Sequence, residues 1–156
     1  MSDTEGFRAA LRDAGVLHVD ACVLGLHLTG DSRYLPLTRT LLYGLEKGEF
    51  EGRTSAISLY QLLVEPLRHG QEAEAETIEA CLGALPGLTI VPVSSVIARQ
   101  AAQVRAQLGG SVERATQIAT ALATDADVFV TQRSALRRIA GMGVEQLDAY
   151  VGGEPG

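Results

Sequence analysis

A chain of 156 residues that is 46% hydrophobic and 21% charged has the size and balance of one globular domain with a sizeable core, which excludes a disordered or fibrous protein. A net charge of −6 excludes broad electrostatic capture of nucleic acid while leaving room for a local basic pocket. No apolar run approaches the ~20 residues that a bilayer requires, and no membrane partner is expected. The opening Met1-Ser-Asp-Thr-Glu5 has neither a basic nor an apolar stretch, so no secretory signal is expected and a cytoplasmic location is. Cys22 and Cys81 lack metal-type spacing and are expected to be reduced core thiols.

Taken in order, Ser2 or Asp3 can cap a first helix with Phe7, Ala10, Leu11 and Ala14 on one face, stopped by Gly15. Val16-Leu-His-Val-Asp20 reads as a short buried strand ending in a carboxylate. A brief helix over 22–28 follows, then a longer one over 34–47 with leucines at helical spacing and Gly48 as its stop. Thr54 and Ser55 follow a polar strand, and Ser58 is expected to cap a helix that Pro66 bends or ends near His69-Gly70. An acidic-fronted helix spans 72–85, and a strand spans 88–93. Ser94 or Ser95 caps a helix to Leu108, and a helix of small residues fills 112–124. The pattern then predicts a strand over 128–131, a helix over 134–140, an edge strand over 144–147 and a flexible tail over 152–156. Alternating strands and helices imply a three-layer α/β/α sandwich with a mainly parallel central sheet, as one domain over 1–156. Functional groups then gather beyond the carboxyl ends of the strands, near Asp20, Ser55 and Thr131.

Among other polar residues, His18 is expected to be a satisfied sheet residue, and His27 and His69 lie near helix ends without a nucleophile beside them. Asp125 and Asp127 fall at the start of a strand, the wrong end for such a cleft.

The segments Thr54-Ser-Ala-Ile-Ser-Leu-Tyr-Gln-Leu-Leu-Val-Glu-Pro-Leu-Arg68, Ala115-Thr-Gln-Ile-Ala-Thr-Ala-Leu122 and Asp127-Val-Phe-Val-Thr131, in this order, resemble the PIN domain family, and most closely its VapC-type toxins of bacterial toxin–antitoxin pairs. The resemblance covers about residues 16–150. It implies a ribonuclease fold in which several carboxylates gather Mg²⁺ or Mn²⁺ to activate water and stabilise charge at phosphorus. By the same resemblance, the first acid is Asp20, followed by Ala21 where a hydroxyl residue is usual. The Glu of the next helix falls on Gln61, the Asp of the small-residue helix on Arg114, and the acids after the later strand on Gln132 and Arg133, behind a surviving Thr131. Three acidic positions are thus replaced, and a degenerate site without a metal cofactor is expected. Glu65, one turn after Gln61, and Glu113, beside Arg114, are the acids that could restore it.

Two functions remain open at this point. One is a non-catalytic protein binding RNA or a protein, with Arg114 and Arg133 either meeting phosphates or pairing with Asp20. The other is a Mg²⁺- or Mn²⁺-dependent endoribonuclease using Asp20, Glu65 and Thr131, with Asp20 as metal ligand. An antitoxin-like partner and a homodimer follow from the resemblance, and the leucine-rich helices at 34–47 and 59–67 are the candidate surfaces.

Overall fold

The computed structural model describes residues 1–152, so most of the expected tail, residues 153–156, lies outside the described residues. The chain runs α1 (Thr4–Ala14), β1 (Val16–Val19), α2 (Ala21–Thr29), α3 (Leu35–Lys47), β2 (Glu51–Ser55), α4 (Ile57–Arg68), α5 (Glu72–Gly83), β3 (Leu88–Val91), α6 (Ser95–Leu108), α7 (Val112–Ala123), β4 (Val128–Thr131), β5 (Arg138–Ile139) and β6 (Met142–Gln146). The sheet order is β3-β2-β1-β4-β6-β5. All neighbours are parallel except the β5–β6 hairpin. The expected three-layer α/β/α sandwich is therefore the observed one, with long crossovers carrying helices to both faces.

Period-2 alternation sends the central strands' side chains to two separate cores. Leu17, Val19, Val128 and Val130 face a core shared with Phe7 and Leu11 of α1, Leu24 of α2, and Leu37, Leu41 and Leu45 of α3. Phe129 points the other way, among Ile97, Ala101 and Val104 of α6 and Ala115, Ile118 and Ala119 of α7. Small residues on α7 let it lie close over β1 and β2, which brings its first turn to the ends of those strands. The α3 leucines proposed as a surface are therefore mostly core, and on α4 Leu59 and Leu62 are packed against it. Among these helices' large apolar side chains, Tyr43, Tyr60 and Leu67 are exposed.

Local caps follow the side-chain chemistry. Asp3 Oδ1 accepts from Gly6 N at 2.9 Å, Ser94 Oγ from Ile97 N at 3.2 Å, and Ser111 Oγ from Arg114 N at 3.1 Å, each satisfying an amide that the first helical turn leaves open. Ser58 is not a cap: it lies inside α4, fully buried. Cys81 is exposed, not a core thiol, whereas Cys22 is half-buried; both are free.

The carboxyl-terminal segment departs most from expectation. Residues 134–140 form a loop and the two-residue strand β5 rather than a helix. Ser134 Oγ accepts from Leu136 N at 3.0 Å and donates to Leu136 O at 2.9 Å, a local turn that competes with helix formation. Ala140 and Gly141, at φ 49° and 86°, then make the two-residue reversal typical of a tight hairpin. The strand expected at the sheet edge, 144–147, is β6 over Met142–Gln146, and β5 lies outside it.

Candidate functional site

β1 and β4 are neighbours in the sheet and end side by side, so Asp20 and Thr131 meet there: Thr131 Oγ1 donates to Asp20 Oδ2 at 2.9 Å. Asp20 is also the N-cap of α2, with Oδ1 accepting from Ala21 N at 2.8 Å. The Cys22 thiol reaches Oδ2 at 3.4 Å. Burial, with the charge of Asp20 beside it, pushes that thiol up to about 11, so it stays a thiol and is no nucleophile at neutral pH. A cavity of about 160 Å³ opens above this pair, lined by Asp20, Gln61, Ser111, Arg114, Phe129, Thr131, Arg133, Ser134 and Ile139. Five residues singled out from the sequence thus share one pocket: Asp20, Gln61, Arg114, Thr131 and Arg133.

Gln61 is held from behind by a buried polar network whose donor directions follow from counting hydrogens. Thr54 Oγ1 donates to Val19 O at 2.7 Å, so in its 2.7 Å contact with Ser58 Oγ it must accept. Ser58, having spent its proton, accepts from Gln117 Nε2 at 2.8 Å. The other Gln117 Nε2 hydrogen goes to Gln61 Oε1 at 2.8 Å. Gln117 Oε1 is left facing His18 Nε2 at 2.7 Å, which therefore carries the ring proton. His18 is fully buried, stacked on Phe129 at 5.2 Å between ring centroids, and its Nδ1 has no protein partner. Burial lowers its pKa to about 4, against the opposing pull of the Gln117 bond and the Asp20 charge. It is a neutral core residue satisfied at one nitrogen only.

The two arginines do not pair with Asp20, contrary to one expectation. Arg133 Nε donates to Asp148 Oδ2 at 2.8 Å, and Asp148 also accepts from Tyr34 Oη at 2.6 Å. Against the upward pull of burial, these two bonds hold the Asp148 carboxyl below its ordinary value. Asp20 accepts instead from its own helix start and from Thr131. The Arg114 guanidinium has no protein partner among the described residues.

Three other expected site residues lie elsewhere. Glu65, one turn along α4 from Gln61, sits outside the pocket, 59% exposed, and pairs with Arg68 at 3.1 Å and His69 at 3.5 Å. Glu113 is in the first turn of α7 but does not line the pocket. Gln132 turns to the opposite side of β4's end, donating from Nε2 to Tyr34 Oη at 3.0 Å. Asp127, at the far end of the sheet, accepts from Val16 N at 2.9 Å and pins the start of β1. Sequence reasoning missed Gln117, Ser58 and Thr54 as supports of the site. A signal existed, since Gln117 is an amide set among the small and apolar residues 115–122, where burial requires partners. Among the described residues, no three side chains of His, Cys, Asp or Glu stand together closely enough to hold one metal ion.

The sequence model of the PIN domain matches residues 9–142. The chain belongs to the PIN domain family. No curated protein sequence matches it. Among solved structures, this PIN domain is similar to VapBC2 from Rickettsia felis bound to a DNA fragment from its promoter, with TM-score 0.66 and 14% identity over 84% of this chain and 98% of that one. It is also similar to a toxin–antitoxin complex from Klebsiella pneumoniae, with TM-score 0.59 and 18% identity over 84% and 97%. A third is Mycobacterium tuberculosis VapC20, a toxin that cleaves the sarcin–ricin loop, with TM-score 0.57 and 16% identity over 72% and 86%. At these identities the likeness is one of fold, and it places this chain beside VapC-type toxins in architecture.

Proposed function

We propose that this PIN domain binds RNA at the sheet-edge pocket without cleaving it by metal-dependent hydrolysis. The observation that carries the reading is the pocket's donor set: one carboxylate, Asp20, already engaged by Ala21, Thr131 and Cys22, set against the guanidiniums of Arg114 and Arg133. Mg²⁺ and Mn²⁺ take several oxygen ligands at once. The residues present do not fit such an ion. The two guanidiniums that line the same pocket repel a dication rather than gather it. The same donors suit the oxygens of a phosphate.

A divalent-metal endoribonuclease built on Asp20, Glu65 and Thr131 draws no support from the geometry, because Glu65 lies outside the pocket, turned to solvent and paired with Arg68 of its own helix. Two of the similar structures are toxin–antitoxin assemblies, which supports an antitoxin-like protein as a further partner. A homodimer and a cytoplasmic location complete the reading. No helix of the described residues is long and apolar enough to cross a membrane.

The test combines cleavage and binding on the same RNA. With Mn²⁺ present, cleavage should not rise above that of Asp20→Ala. Binding followed by fluorescence anisotropy should weaken as salt rises, as a contact to phosphate predicts, and should weaken about tenfold in Arg114→Ala. Mn²⁺-dependent cleavage that Asp20→Ala abolishes contradicts the reading.

A further inference from the structure

We infer that the pocket is a receptor for one terminal phosphate group, and that the buried network behind Gln61 fixes that amide as a phosphate donor. The inference deepens the reading above and rests on it in treating the pocket as a binding site. Its basis is the direction of every hydrogen bond from Val19 O to Gln61. Because Gln61 Oε1 accepts from Gln117 Nε2, its NH₂ group is the end left for the cavity, with no protein acceptor among the described residues. Arg114 contributes a guanidinium with no protein partner. Arg133 is tethered to Asp148 through Nε alone, so its two terminal amino groups stay open. Free hydrogen-bond donors therefore converge from α4, from the first turn of α7 and from the loop after β4. Asp20 opposes an anion, but two guanidiniums outnumber it and its oxygens are turned to their own partners.

Size narrows the ligand. A cavity of about 160 Å³ holds roughly five waters by volume and falls well below the ~300 Å³ at which drug-sized sites begin. That volume suits a phosphate group better than a whole nucleotide. Phe129 and Ile139 close part of the wall. Such a pocket accepts the end of a chain, where a monoester offers three oxygens, better than the middle, where a diester offers two and carries a nucleoside on each side.

The experiment follows the side-chain amide signals of ¹⁵N-labelled full-length protein in EDTA while inorganic phosphate or AMP is added. In parallel, affinities are measured for one oligoribonucleotide with and without a terminal phosphate at each end. The expected result is that phosphate moves the Gln61 NH₂ signals and competes with the terminally phosphorylated RNA, which binds at least tenfold tighter than its unphosphorylated twin. If AMP binds as tightly as that RNA, the source is a free nucleotide rather than an RNA end, and the pocket assignment stands. Gln61→Glu keeps an acceptor for Gln117 but removes the donor, and should abolish the phosphate preference. Gln117→Met should reduce it about tenfold and broaden the Gln61 signals, although residue 117 does not line the pocket. Unmoved Gln61 signals, together with RNA affinity indifferent to a terminal phosphate, overturn the inference. If the RNA is still bound uncut, the broader reading survives that outcome; Mn²⁺-dependent cleavage defeats the broader reading by a separate assay.

Discussion

His18 shows how one residue carries both a structural role and a measurable signature. Its ring bonds Gln117 through a protonated Nε2, leaving Nδ1 bare and buried. Protonating Nδ1 would place a cation in the core under α7, which is why its pKa falls to about 4. The unfolded chain takes up this proton near pH 6.5 and the folded chain only near pH 4, so folding stability declines as pH drops across that interval and declines no further below it. The size is about 3 kcal/mol for the whole interval. Urea unfolding at pH 7 and pH 4.5 should show most of that loss in the native protein. In His18→Phe, which keeps a ring against Phe129, stability should be lower at pH 7 by about 1–3 kcal/mol for the unpaired Gln117 oxygen. Its decline between the two pH values should be much shallower. The Glu49 carboxyl, held down to about 2 chiefly by its bond to Arg8, titrates below this window. An equal decline in native protein and variant would contradict the assignment of the titrating group to His18.

Elements of the fold were legible wherever periodicity and caps agreed. The helix over 34–47 and the strand over 128–131 were readable because apolar spacing coincided with a stop at Gly48 in one case and a run of four buried residues in the other. The segment 134–147 was not, because its structure is decided by a hydroxyl turn at Ser134 and by two positive φ angles at Ala140-Gly141, which leave little trace in hydrophobic pattern. The site was legible to a similar extent. Asp20 and Thr131 could be placed at one sheet edge because parallel strands aim their ends there, whereas Gln61, Arg114 and Arg133 were placed beside them only through the resemblance to the PIN family. The tie from Arg133 to Asp148 crosses from the loop after β4 to the turn after β6 and depends on a register that sequence alone does not give. Packing between elements makes its own prediction at two glycines. Gly48 and Gly87 both have positive φ, but a Cβ at Gly48 meets open space while one at Gly87 strikes the Leu45 carbonyl. Gly48→Ala should cost about 1–2 kcal/mol from backbone conformation alone. Gly87→Ala should lose clearly more, since the turn into β3 must also move off α3, and thermal unfolding of the two variants checks the difference. Equal losses would mean that this turn packs more loosely on α3.

At the scale of the molecule, a chain of net charge −6 repels polyanions over most of its surface, so any hold on RNA must come from a place where the sign reverses. In the proposed reading the carboxyl ends of β1 and β4 are that place: α4, α7 and the loop after β4 meet at one cavity, which they line with an amide and two guanidiniums. Asp20 is the residue at which the two accounts of the pocket predict opposite signs. If the cavity receives a phosphate, the Asp20 charge opposes the ligand, whereas if it gathers a dication, that charge is indispensable. The deciding measurement is the affinity of Asp20→Asn for terminally phosphorylated RNA in the presence of Mn²⁺. Removing a charge worth about 1 kcal/mol against the ligand should tighten binding roughly fivefold, and a loss of binding would contradict the account.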